Sequence, residues 1–251
     1  MVSIQLFITL VLVGILSGLT AGLFGVGGGI VTVPFLRFLT PASFREAVAA
    51  SLLVITITTP VGLWQHHRGR KVAWRTGAAL GAWGLLGVGA GFLIDPYLSD
   101  VALELLFAAF LLYAAKRLAF GATPTGVKLP GALTIALTGI VAGLVAKLLG
   151  IGGGILIVPG LVFVGLEIHT AVATSLVSVF TNAAVSTGIN LAHLGPGRWN
   201  EWAVPVAAGS VLGIYAGSHL GLRSSQRLLQ RAFAAILVVV AASLAWRALS
   251  P

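Results

Sequence analysis

The chain contains no cysteine. This excludes a disulfide framework, a thiolate metal site and a cysteine nucleophile. It also has little charge of either sign, with 15 basic and 6 acidic residues making up 8% of 251. A soluble domain carries about 25% charged residues, so this chain cannot solvate a globular surface. An ordinary cytosolic enzyme and a disordered chain are both excluded. Apolar residues fill the gap, at 58% of the chain with a mean hydropathy of +1.05. The class that remains is a polytopic membrane protein. At about 20 residues per span, the length holds about eight to ten segments and no sizeable soluble domain. The net charge of +9 is spread over short loops. It therefore reads as a topology signal and not as a nucleic-acid footprint.

Charge-free windows locate the spans. Residues 1–36, 47–67, 76–94, 129–146, 148–166, 168–197 and 202–222 carry no Asp, Glu, Lys or Arg. These runs are apolar throughout, which fits membrane helices and not the alternating strands of a membrane barrel. No basic residue precedes the first run, so it is expected to be a membrane segment and not a cleavable signal.

The chain repeats itself. Residues 25–34 read Gly-Val-Gly-Gly-Gly-Ile-Val-Thr-Val-Pro, and residues 150–159 read Gly-Ile-Gly-Gly-Gly-Ile-Leu-Ile-Val-Pro. Downstream, Ala-Val-Ala-Ala-Ser-Leu at 47–52 matches Ala-Val-Ala-Thr-Ser-Leu at 171–176. The expected fold is an all-α polytopic membrane protein of two half-repeats, with about five helical segments in each. The halves are 1–120 and 131–251, joined by a cytoplasmic linker at 121–130. Expected segments are 5–24, 28–40, 46–65, 74–94 and 101–118, then 131–149, 153–166, 170–193, 202–221 and 228–248. An odd count inverts one half relative to the other, a plan recurrent among transporters. Ten crossings place ten basic residues on one side and four on the other, leaving Lys147 aside. The rich side is then cytoplasmic. Reading each glycine motif as a kink gives eight crossings and a nine-to-five division, so both arrangements stay open.

The glycine motifs are the candidate site. Each glycine in a helix costs about 1 kcal/mol relative to alanine, yet three occur in a row, twice. Irregular backbone at membrane depth survives where protein buries it or where it lines a wet cavity. Freed N–H groups at a helix start attract anions. Gly27, Gly28 and Gly29 therefore pair with Gly152, Gly153 and Gly154 as two facing nests of donors. Close helix packing is the competing explanation for small residues. Lys147 lies three residues before Gly150, in a stretch that is otherwise uncharged. An intramembrane cation beside amide nests suits an anionic substrate. All six acids fall at or near expected span ends, which counts against a cation substrate. Ser51, Ser175 and Asn182 are candidates to complete the pocket, and Ser178, Asn182 and Ser186 stripe one helix face. Trp64, Trp74, Trp199 and Trp202 are expected as interfacial anchors.

These paired motifs, each followed by an Ala-x-[Ala/Thr]-Ser-Leu helix, resemble the sulfite exporter TauE/SafE family of membrane permeases. The resemblance covers nearly the whole chain. It implies transport of sulfur-containing anions such as sulfite and sulfoacetate, in the cell (inner) membrane, with no cofactor. Lys147 departs from the small residue that the resemblance implies at its position.

The expected function is thus a transporter, in the direction of export, working by alternating access between the half-repeats. Its partners are a small anion and the lipid bilayer, and small-residue faces leave a homodimer open. A channel, or a permease for another small solute, is the alternative. An intramembrane enzyme would need a nucleophile–base pair or a metal cluster, and the sequence shows no motif for either.

Overall fold

A computed structural model describes residues 3–68, 72–120, 131–163, 165–195, 197–221 and 226–249. The linker 121–130, and with it Lys128, lies outside the described residues, as do Arg70, Lys71 and Arg223. Among the described residues the structure is helical and has no strand. The order is α1 (Ile4–Phe24), α2 (Gly29–Leu39), α3 (Phe44–Arg68), α4 (Trp74–Ile94), a 3₁₀ turn (Asp95–Tyr97) and α5 (Asp100–Phe120). Then follow α6 (Ala132–Leu149), α7 (Gly154–Phe163), α8 (Ile168–Leu194), α9 (Arg198–Gly221) and α10 (Gln226–Leu249). Among the described residues, six helices are long and apolar enough to cross a membrane: α1, α3, α4, α6, α8 and α9. The protein is a polytopic α-helical membrane protein.

α2 and α7 differ from the other helices. They have 11 and 10 residues, about 16 and 15 Å, or roughly half a bilayer core. Each follows a glycine break. Gly25 and Gly150 end α1 and α6 in the left-handed conformation, the usual helix stop. The chain then reverses. The Ser17 hydroxyl donates to the Gly28 carbonyl at 3.0 Å and lies 2.8 Å from the Thr32 hydroxyl. Had α2 continued along α1, Thr32 would sit about 22 Å from Ser17. α1 and α2 therefore form a hairpin and not one kinked helix. In the other half, a Cβ placed on Gly153 would meet the Ala142 carbonyl at 2.5 Å, so α7 folds back on α6 in the same way.

The packing is reciprocal and crosses the midpoint of the sequence. α1 lies along α9, and α6 lies along α4; α5 pairs with α10, and α3 with α8. Glycines bring the backbones into contact. Side chains on Gly14 and Gly18 would strike the carbonyls of Val206 and Ser210, and one on Gly143 would strike that of Gly84. The fourth helix of each half is thus packed on the first helix of the other. Trp199 and Trp202 are buried, so they fill the core where interfacial anchors were expected. Trp64 and Trp74 are exposed.

Gly18→Ala should lower the melting temperature of the detergent-solubilised protein, because overpacking a backbone contact costs about 1–3 kcal/mol. Gly89, on α4, has open space around its missing Cβ. Gly89→Ala should leave the melting temperature unchanged or raise it, by up to about 1 kcal/mol.

Candidate functional site

The two breaks meet. A Cβ on Gly29 would collide with the Gly150 carbonyl, and one on Gly154 would collide with the Gly25 carbonyl. Each break is latched by a serine from the third helix of the opposite half. Ser51 on α3 donates to the Gly150 carbonyl at 2.7 Å, and Ser175 on α8 shares its hydrogen between the Gly25 carbonyl at 3.1 Å and the Val172 carbonyl of its own helix at 2.8 Å. Ile55 and Val179, from the same two helices, cover the crossing. Each packs against both Gly27 and Gly152.

The expected glycines split into two kinds. Gly27, Gly28, Gly152 and Gly153 have φ between 65° and 81°, a conformation that other residues rarely adopt. Gly29 and Gly154 are the first residues of α2 and α7. They need to be glycine because the opposite break touches them. Between the last bond of the first helix and the first bond of the second, the backbone donors go unused. Among the described residues, the N–H groups of residues 26–30 and 151–155 reach no acceptor, although all these residues are buried. Buried amides are almost always paired, so ten unpaired donors in one place are exceptional. The N-termini of α2 and α7, positive ends of their dipoles, come together here.

Lys147 is buried, and its ammonium lies 3.1 Å from the Asp95 carboxylate, 52 residues away in sequence. The other Asp95 oxygen accepts from the Arg45 Nε at 3.0 Å. Arg45 also pairs with Asp100 and donates to the carbonyls of Asp95 and Leu98. Arg45, Asp95 and Lys147 line a small cleft together with Val48, Phe92, Leu148, Asn190 and His193. Val48 also packs on Gly150, so the cleft reaches to the edge of the crossing.

From that cleft a polar line descends α8. Ser178, Asn182, Ser186 and Asn190 are all buried. The Asn182 Oδ1, the Ser186 Oγ and the Asn190 Nδ2 lack hydrogen-bond partners. Asn182 Nδ2 reaches only the Ser178 hydroxyl, at 3.5 Å, and the side chain fits because Gly84 faces it. The polar line thus runs from the cleft to Val179, beside the crossing.

The structure brings the six nest glycines, Ser51 and Ser175 together at the crossing. It places Lys147 in the adjoining cleft and Asn182 on the line toward it. Ser51 and Ser175 give their hydrogens to backbone carbonyls, so toward a bound solute they act only as acceptors. Sequence reasoning missed Asp95, Arg45 and Asn190. Asn190 could have been found, since it continues the i+4 spacing from Asn182 and Ser186. Glu104 is another acid near a helix start that is buried, paired with Arg37 at 2.5 Å.

Comparison with known proteins adds a family. The family model described as Sulfite exporter TauE/SafE matches residues 10–244. A probable membrane transporter protein of Haemophilus influenzae is 30% identical over 255 residues, covering 92% of this chain and 94% of that protein. One of Methanocaldococcus jannaschii is 27% identical over 241 residues, covering 87% and 86%. One of Bacillus subtilis is 26% identical over 267 residues, covering 93% and 94%.

Removing either serine latch strands a buried carbonyl, at about 1–3 kcal/mol. Ser51→Ala and Ser175→Ala should therefore both lower thermal stability, Ser51→Ala by more because Ser175 shares its hydrogen with Val172. Melting curves of the two purified variants check this, and no effect from Ser175→Ala would contradict the reciprocal latch.

Proposed function

This chain belongs to the sulfite exporter TauE/SafE family of membrane transporters, and from that premise we propose that it carries small sulfur-containing anions, sulfite or an organosulfonate, outward across the cell (inner) membrane. One observation carries the anionic reading: ten buried amide N–H groups without a partner lie on the two breaks, where two half-helix N-termini meet. A sulfite or sulfonate group presents three oxygens with no hydrogen to give. Its oxygens can accept from the amides of the two breaks, and the low dielectric strengthens each contact. Broken helices whose positive ends face a shared central site are how other carriers hold anionic substrates.

Ile55 and Val179 cover the crossing. A continuous pore would need them elsewhere, which favours a carrier over a channel. The cleft supplies one access route. It lies at the start of α3 and the ends of α6 and α8, the basic-poor side by the loop count, and so faces outward. The moving bodies follow from the packing. α1 with α9 and α6 with α4 are bound too closely to separate. Alternating access then rocks one body of α1, α2, α3 and α9 against another of α6, α7, α8 and α4. Their contact is the α3–α8 pair and the glycine crossing, where the anion sits.

The test is thermal stabilisation of the purified protein by sulfite, sulfoacetate, taurine, sulfate, thiosulfate and acetate, with sodium and potassium salts as controls. One sulfur oxyanion should raise the melting temperature. Lys147→Ala should weaken that anion about tenfold, the loss of one charge-assisted contact. Asn182→Leu should weaken it as well. A shift with a cation and with no anion would overturn the proposal.

A further inference from the structure

We propose that Asp95 is a tethered competitor for the transported anion. Its carboxylate occupies the Lys147 ammonium while the site is empty and yields it when the anion arrives. This rests on the anion-carrier reading above.

Two cations, Arg45 and Lys147, and one carboxylate, Asp95, line the cleft, and Asp100 meets Arg45 beside it. Arg45 from α3 and Lys147 from α6 face Asp95 on the 3₁₀ turn and Asp100 at the start of α5. His193 from α8 also faces the cleft, its ring 4.6 Å from that of Phe92. Each cation already holds a carboxylate, so an anion reaches Lys147 by exchange. The partners of Asp95 allow it. Oδ2 holds Lys147 and Oδ1 holds Arg45. Leaving Lys147, the carboxylate keeps Arg45. Arg45 in turn is fixed by Asp100 and by the carbonyls of Asp95 and Leu98.

Lys147 has little reserve: besides Asp95, its ammonium has the Phe92 ring, 5.8 Å away. Its side chain is 6% exposed, and a bare buried ammonium is strongly unfavourable. Either the anion or Asp95 must be present at every stage. A carboxylate and a sulfonate offer the same chemistry to an ammonium, two or three oxygens sharing negative charge. Asp95 sits where α4 gives way to a three-residue turn, so its displacement breaks no helix interior.

The experiment measures the affinity of the full-length protein in detergent for sulfite and methanesulfonate, by calorimetry, in wild type, Asp95→Asn, Asp100→Asn and Lys147→Ala. Asp95→Asn should tighten binding by about tenfold or more. Asp100→Asn removes the same charge from Arg45 without freeing Lys147, and should change affinity by less than about threefold. Lys147→Ala should weaken binding. Should Asp95→Asn fail to fold, Asp95→Ser carries the same expectation. Unchanged or weaker binding without the Asp95 carboxylate overturns the competitor role, and so do equal gains in the Asp95 and Asp100 variants. If wild type binds neither anion, the anion-carrier reading fails and takes this inference with it. Binding by wild type without tightening in Asp95→Asn removes the competitor alone.

Discussion

A backbone broken at membrane depth has to be completed by something other than water. Most of this structure is organised around that constraint. Each hairpin stops on a left-handed glycine and restarts on a helical one, and between them the carbonyls of Gly25, Gly28, Gly150 and Gly153 find partners while the amides do not. The Gly25 and Gly150 carbonyls are capped by serines of the opposite half. Gly29 and Gly154 have no side chain because the opposite break occupies that space. Neither half can close its own break, so the two halves fold as one unit.

Close backbone packing follows from the same constraint. The crossing requires α1 and α6 to end deep in the protein, flanked by helices that approach closely. The glycine ladders on α1, α4, α6 and α9 allow it, and they exchange the fourth helices between halves. Rigid bodies therefore do not coincide with sequence halves. The proposed rocking is therefore between bodies that each borrow one helix from the other half, in place of the rocking expected between residues 1–120 and 131–251.

Much of the architecture was legible in the sequence. Charge-free windows marked the helices because a charge in hydrocarbon is costly. The duplicated glycine motif marked the breaks because no other residue fits there. Two things were not legible. The direction of α2 after the break depends on Ser17 meeting Thr32, a contact that hydropathy does not encode; this is why eight and ten crossings stayed open. The partner of Lys147 lies 52 residues away, on another helix end. Local sequence shows a lone cation, and only the tertiary fold shows the ion pair. Trp199 and Trp202 misled for a related reason. A tryptophan at a span end reads as an anchor, but a broken-helix bundle has buried space at its helix ends as well.

The two halves share a backbone plan but differ in their side chains. The position matching Lys147 is Gly22, and those matching Ser178, Asn182, Ser186 and Asn190 are Val54, Thr58, Gly62 and His66. Thr58 gives its hydrogen to its own helix. The donor nests are thus duplicated while the charged cleft and its polar line are single. That division suits a carrier. A cradle built from backbone at a pseudo-symmetric crossing presents the same donors whichever side is open. On the proposed reading, a cation balanced by a movable carboxylate on one side alone would make the two sides unequal in affinity. Such a difference is set by side chains, and it can change between relatives without disturbing the glycine crossing.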